Sequence, residues 1–158
     1  MLDIDALPDQ IVADEKLVRQ VISNIISNAI KYSPGKGTIW IGGSVDDQDR
    51  AVLSVRDEGV GIPLAEQAKL FERFFRASTS TGIAGSGIGL HLAFHLVQMH
   101  GGTIDFDSAE GRGTTFFVRL PIAGPAASGN QPDSGADEIP SPVPSSHGGA
   151  EAMASSAA

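Results

Sequence analysis

The chain has 158 residues, 41% of them hydrophobic, 19% charged and 6% aromatic, with 19 Gly and 9 Pro, which suits one domain at roughly 100 to 200 residues per domain and signals an unusually chain-breaking segment somewhere. Eleven Lys and Arg against 19 Asp and Glu give a formal charge of −8, which repels a phosphate backbone and disfavours nonspecific nucleic-acid binding. With no cysteine, disulfides, thiolate nucleophiles and cysteine zinc sites are excluded; no run approaches the ~18 apolar residues of a membrane span, and Met1-Leu2-Asp3-Ile4-Asp5 is not a signal peptide, so a soluble segment without membrane contact is expected.

Along the chain, Asp9 to Ala13 reads as a short strand and Asp14 as the N-cap of a helix from Glu15 to about Ser33, closed by Pro34-Gly35. Leu17, Val18, Val21, Ile22, Ile25, Ile26, Ala29 and Ile30 make one broad buried face of that helix. Gln20, Asn24, Asn28 and Lys31 align as a polar stripe beside it. Thr38 to Val45 and Ala51 to Asp57 read as strands joined by a hairpin turn at Asp46-Asp47-Gln48-Asp49, which lacks the Gly and terminal Glu of a calcium-binding loop. Leu64 to Lys69 is a short helical piece. A second helix is expected from about Gly87 to Gly101-Gly102 with Leu92, Ala93, Leu96, Val97 and Met99 inward, then strands Thr103 to Asp107 and Thr114 to Leu120.

Composition changes after Leu120-Pro121. Residues 124 to 158 hold four carboxylates, no Lys or Arg, and only Ile139, Val143 and Met153 as large apolar side chains, so this stretch reads as a disordered acidic tail or linker. The remainder, residues 1–123, is expected to be one α+β domain: a two-layer α/β sandwich with a mixed, mostly antiparallel sheet and helices on one face.

Three segments carry candidate chemistry. In Asp57-Glu58-Gly59-Val60-Gly61-Ile62-Pro63 a carboxylate ends a strand and two glycines follow, a loop that lets a flat ligand approach the backbone while Asp57 accepts from an exocyclic amine. Gly85-Ser86-Gly87-Ile88-Gly89-Leu90 opens a helix whose free N–H groups suit phosphate. It has neither the dinucleotide-binding spacing nor the Gly-Lys-Ser/Thr of a P-loop. Asn28 and Lys31 are three apart on one helix face, so an amide oxygen and an ammonium meet the same ligand; one protein oxygen suffices for Mg²⁺, which keeps water and phosphate in its shell. Each segment taken singly also fits a plain turn or a solvated helix face.

Together they say more. Asn24-Ile25-Ile26-Ser27-Asn28-Ala29-Ile30-Lys31-Tyr32-Ser33, Asp57 to Ile62, Leu70-Phe71-Glu72-Arg73-Phe74-Phe75-Arg76 and Gly85 to Leu90 resemble, in order and spacing, the N, G1, F and G2 boxes of sensor histidine kinases. His100-Gly101-Gly102 and Gly113-Thr114-Thr115-Phe116 resemble closing elements of the same ATP-binding domain. The resemblance covers about residues 8 to 122 and implies the GHKL (Bergerat-type) fold. It implies that Asn28 holds Mg²⁺, Lys31 contacts the phosphates and Tyr32 packs on adenine. Asp57 would read the adenine amine, with Gly59, Gly61 and Ile62 shaping that end; Gly85, Gly87, Gly89 and Leu90 would cradle the triphosphate, and Thr114 would support the base. Residues 77 to 86 would be the mobile ATP lid, with Arg73 or Arg76 reaching the γ-phosphate.

The same resemblance implies a cytoplasmic segment, whether or not the full protein is membrane-anchored. Its partners would be a histidine-bearing dimerisation domain and, indirectly, a response regulator. Branches of this superfamily that hydrolyse ATP carry a Glu four residues before the metal-binding Asn; Asn24 stands there and cannot take a proton. Kinase rather than ATPase chemistry is therefore expected, with a GHKL ATPase or a noncatalytic nucleotide sensor as alternatives. Of the four histidines, His91 and His95 have metal-compatible spacing but no evident third ligand and read as surface positions; His100 sits at a helix C-terminus and His147 in the tail.

Overall fold

The computed structural model describes residues 1–33, 35 and 37–125; all of the expected tail after residue 125, and Pro34 of the expected helix stop, lie outside the described residues. Five strands form one sheet in the order β1-β2-β3-β5-β4: β1 Leu2–Asp3, β2 Trp40–Val45, β3 Arg50–Arg56, β4 Thr103–Ala109 and β5 Gly113–Pro121. Only the β1–β2 pair is parallel. The others are antiparallel, which joins the β2–β3 and β4–β5 hairpins through the central β3–β5 ladder.

The inner face of the sheet follows from strand alternation. Thr114, Phe116, Val118 and Leu120 of β5 are all buried, opposite Val55 of β3 and Ile104 of β4. Two helices cover this face, α1 Glu15–Tyr32 and α2 Gly89–Met99. Asp14 caps α1: its Oδ1 accepts from the backbone N–H of Lys16 at 2.9 Å and Leu17 at 3.1 Å, a cap worth about 1 kcal/mol. Val21, Ile25 and Ala29, spaced by four, are the buried line of α1, and Ala93, Leu96 and Val97 that of α2. Phe71 locks the core laterally, stacked on Phe94 at 4.9 Å and edge-on to Phe106 at 5.9 Å.

Several expectations are revised. Residues 9–13 form no strand. Pro8 precedes them; the segment is held by a bond from Val12 N–H to the Ile122 carbonyl at 2.9 Å and by Ile11, half-buried against the core. The edge strand is instead Leu2–Asp3, hydrogen-bonded beside Ile41 and Gly42. The short helical piece expected at Leu64–Lys69 is present, as a 3-10 helix. Leu92 and Met99, expected inside, point out at 39% and 67% exposure, and Ile30 is exposed too; α1 already fills the inward side of α2, so the wider apolar pattern has no second wall to pack on.

His100 joins the two helices at their far end. Its Nδ1 lies 2.7 Å from the Leu96 carbonyl, and the backbone N–H of Asp14 donates to its Nε2 at 3.2 Å. A carbonyl accepts and an N–H donates, so Nδ1 is the donor and Nε2 the acceptor of this ring. One buried imidazole thereby closes α2 and positions the cap residue of α1.

Candidate functional site

Three strand ends converge at one edge of the sheet, where Asp57 follows β3, Ser108 lies at the end of β4 and Thr114 at the start of β5. Asp57 is 4% exposed. Its backbone N–H extends the ladder to the Thr114 carbonyl at 2.8 Å, while its Oδ1 accepts from the N–H groups of Gly59 at 2.8 Å and Thr114 at 3.2 Å. Burial pushes this carboxyl above the usual aspartate value, and the Gly59 and Thr114 donors pull against that rise. Oδ2 has no protein donor among the described residues.

Hydroxyls complete this end. Ser108 Oγ donates to the Gly113 carbonyl at 3.1 Å and accepts from Ile62 N–H at 3.0 Å. Its proton being committed, the 2.9 Å contact with Thr114 Oγ1 is a bond donated by Thr114. Thr114 is thereby left as an acceptor beside Asp57. Gln67 Nε2 ties the Ile62 and Ser108 carbonyls together at 3.1 and 2.9 Å, so the 3-10 helix clamps the loop to β4. Sequence reading passed over Gln67 and Ser108, whose roles depend on contacts some 40 residues apart.

The glycines after Asp57 also permit close backbone packing. A Cβ on Gly59 would overlap the Tyr32 carbonyl, and one on Gly61, at φ +64°, the Ala109 carbonyl. Together with a bond from Val60 N–H to the Tyr32 carbonyl at 3.0 Å, this presses the loop against the end of α1 and the β4–β5 turn. Gly61 and Ile62 line the cavity, whereas Gly59 lies behind its wall.

That cavity measures about 270 Å³, near the lower end of small-ligand pockets. Asp57, Val60, Gly61, Ile62 and Thr114 form one end, and α1 runs along its length with Tyr32, Lys31, Asn28 and Asn24. Gly85, Gly87, Gly89 and Leu90 close the far side. No side chain caps α2, so its first N–H groups remain available beside Gly89 and Leu90. Lys31 Nζ lies over the Tyr32 ring, 4.8 Å from its centroid, and a Cβ on Gly85 would overlap that ammonium. Gly87, at φ +70°, is held to the Phe74 and Phe75 backbone and takes no side chain; Gly89 has room for a Cβ, with Asn24 Oδ1 at 3.5 Å.

The structure separates the two arginines. Arg76 lines the cavity, and its guanidinium donates to the carbonyls of Ser80, at 3.1 Å, and Ile83. Arg73 lies over the Phe74 ring, 4.8 Å from its centroid, outside the cavity. The first part of segment 77–86 is anchored by polar contacts: Ser78 N–H donates to Glu66 Oε2, and Thr79 Oγ1 to the Gly61 carbonyl, both at 2.8 Å. From Thr81 to Ser86, the side-chain hydrogen bond to the rest of the fold among the described residues is that of Arg76 to the Ile83 carbonyl. Asn24 Nδ2 is buried without a hydrogen-bond partner, while its Oδ1 accepts from Gln20 at 3.3 Å.

The α1 wall offers a bound Mg²⁺ neutral oxygens only, from the side chains of Asn24, Ser27 and Asn28. Among the described residues no group of three or more His, Cys, Asp or Glu is placed to hold a metal. The donor set therefore fits an ion that arrives with phosphates and water in its shell, and does not fit an all-protein cage.

A two-layer sandwich whose cavity lies between a long helix and a glycine-rich segment, with a buried Asp at one end, defines an ATP-binding domain of the GHKL class. Residues 13–124 match the family of histidine kinase-, DNA gyrase B- and HSP90-like ATPases (HATPase_c), and the chain belongs to it. It is 42% identical over 121 residues to the sensor histidine kinase WalK of Bacillus subtilis, covering 73% of this chain and 20% of WalK. Among solved structures it is similar to the mycobacterial sensor histidine kinase MprB, with TM-score 0.69, 32% identity, and coverage of 80% of this chain and 84% of that one. Full-length ShkA in complex with AMPPNP matches with TM-score 0.67 and 30% identity over 80% of this chain and 26% of ShkA. The domain is thus the catalytic, ATP-binding type found in sensor histidine kinases, and it spans a fraction of the length of the full-length kinases it matches.

Proposed function

We propose that this domain binds Mg-ATP in the cavity between α1 and the lid and delivers the γ-phosphoryl group to a histidine on a separate dimerisation domain. It would then act, through that domain, on a response regulator in two-component signalling. The observation that carries this reading is the convergence of all four boxes on one cavity: Asn28, Lys31 and Tyr32, then Asp57, Gly61 and Ile62, then Arg76, then Gly85, Ser86, Gly87, Gly89 and Leu90.

In this reading Asp57 Oδ2 and Thr114 Oγ1 accept from the adenine amine, a charge-assisted arrangement that repels the O6 acceptor of guanine. Tyr32 and Ile62 flank the base. Lys31, resting against Gly85, moves with the lid onto the phosphates, joined by the first N–H groups of α2 and by Arg76. Asn28 would hold Mg²⁺, which when bound neutralises phosphate charge. The protein's contribution is positioning and electrostatic stabilisation. The acceptor imidazole nitrogen supplies the electron pair for the new P–N bond as the bond from γ-phosphorus to the bridging oxygen breaks. ADP leaves with the electron pair of the broken P–O bond, and the ring proton goes to solvent. Asn24 offers no base to activate water, so hydrolysis is slow. The site belongs on the cytoplasmic side, where ATP is available.

The test is transfer from radiolabelled ATP. With Mg²⁺ and an added histidine-bearing dimerisation domain from the full-length protein, acid-labile phosphate should build up on that domain and not on this chain, and Asn28→Ala should abolish it. Rapid steady hydrolysis by the isolated chain without transfer would overturn the proposal in favour of an ATPase.

A further inference from the structure

Helix α2 carries two histidines that the nucleotide site does not use. His91 and His95 are one turn apart on the same side of the helix, with ring centroids 4.4 Å apart and planes at 77°. His91 Nδ1 lies 2.9 Å from the carbonyl oxygen of Phe71. A carbonyl only accepts, so Nδ1 carries a proton, and in the neutral ring the lone pair is on Nε2. Proteins prepare metal-binding histidines in this way: the far ring nitrogen donates to a carbonyl, which sets the tautomer and raises the basicity of the other nitrogen. His95 is exposed, packs edge-on to Phe94 at 5.7 Å, and has no hydrogen bond on either ring nitrogen among the described residues. His100 is the contrast, with both nitrogens already used.

We propose that His91 and His95 form a two-histidine site for a borderline divalent transition metal such as Zn²⁺ or Ni²⁺, distinct from any Mg²⁺ that accompanies nucleotide. Imidazole nitrogen suits these ions, whereas Mg²⁺ demands oxygen ligands. With no further His, Cys, Asp or Glu completing a cluster among the described residues, the remaining coordination positions belong to water or to a donor from another molecule. The sequence alone left these histidines as surface positions; the Phe71 carbonyl, twenty residues away in the chain, is what prepares one of them. Bound metal would link successive turns of α2, whose first residues Gly89 and Leu90 belong to the cavity wall.

The test is nitrogen-15 NMR of the histidine rings in the full chain without nucleotide, followed by titration with Zn²⁺. Before metal, His91 should be the Nδ1–H tautomer. One equivalent of Zn²⁺ should shift the ring signals of His91 and His95 together. His95→Ala, at an exposed position that spares the fold, should abolish that saturable shift, and His147→Ala should leave it intact. An Nε2–H tautomer at His91, undiminished binding in His95→Ala, or loss of binding in His147→Ala would overturn the proposal.

Discussion

Replacing Asp57 by Asn separates its two jobs. The amide oxygen still accepts from Gly59 and Thr114 N–H, now at 2.8 and 3.2 Å, so the loop should keep its shape. In place of Oδ2 stands an NH₂ group, a donor facing the adenine amine. The exchange removes one charge-assisted bond, about 1.5 to 3 kcal/mol, or a roughly tenfold to hundredfold loss of ADP affinity, measured by calorimetric titration. Asp57→Ala, by contrast, strips the acceptor from two buried N–H groups and should lower fold stability as well. Stability also carries a sign. Burial raises the native carboxyl pKa, so the folded state holds this proton more tightly than the unfolded chain. That contribution is present at low pH and lost as pH rises through the native pKa. Asp57→Asn should therefore be at least as stable as wild type at neutral pH. ADP affinity should fall on acidification of the wild type, with a midpoint above the ordinary aspartate value, and the Asp57→Asn variant should not show that fall. Wild-type affinity in Asp57→Asn, or equal binding of ADP and GDP by the wild type, would refute the role.

Other perturbations read different parts of the account. Gly61→Ala places a Cβ on the Ala109 carbonyl at positive φ and should cost about 1 to 3 kcal/mol from backbone strain alone, seen in urea unfolding. His100→Ala removes the acceptor for Asp14 N–H and should cost about 1 to 3 kcal/mol, whereas an unchanged unfolding midpoint would deny that link between the helices. Arg76→Ala releases the Ser80 and Ile83 carbonyls, so amide exchange in residues 80–86 should speed up without nucleotide, with exchange in α1 unaltered.

Local chemistry was the legible part of the fold. Asp14 as cap and the Val21, Ile25 and Ala29 line follow from spacing, and so do the two hairpins, because each depends on residues a few positions apart. Strand β1 was hidden: Leu2–Asp3 is too short for a pattern and exists through its pairing with Ile41 and Gly42. The segment 9–13 misled because its apolar run satisfies strand propensity while Pro8 and the lack of a neighbouring ladder prevent one. At the site, the identity of the boxes was readable but their mutual contacts were not. That Gly59 answers to the Tyr32 carbonyl, Gly85 to Lys31 and Gln67 to Ser108 is long-range geometry. The choice between Arg73 and Arg76 likewise waited for the contacts that place Arg76 at the cavity and Arg73 over the Phe74 ring.

The most direct measurement is a proton–nitrogen correlation spectrum of the chain titrated with Mg-ADP. The account predicts saturable shifts at the amides of Asn28, Lys31, Gly61, Gly85, Leu90 and Thr114, with the outer sheet face around Trp40 and Phe117 unmoved. No shifts at millimolar nucleotide, or shifts centred on that outer face, would contradict it.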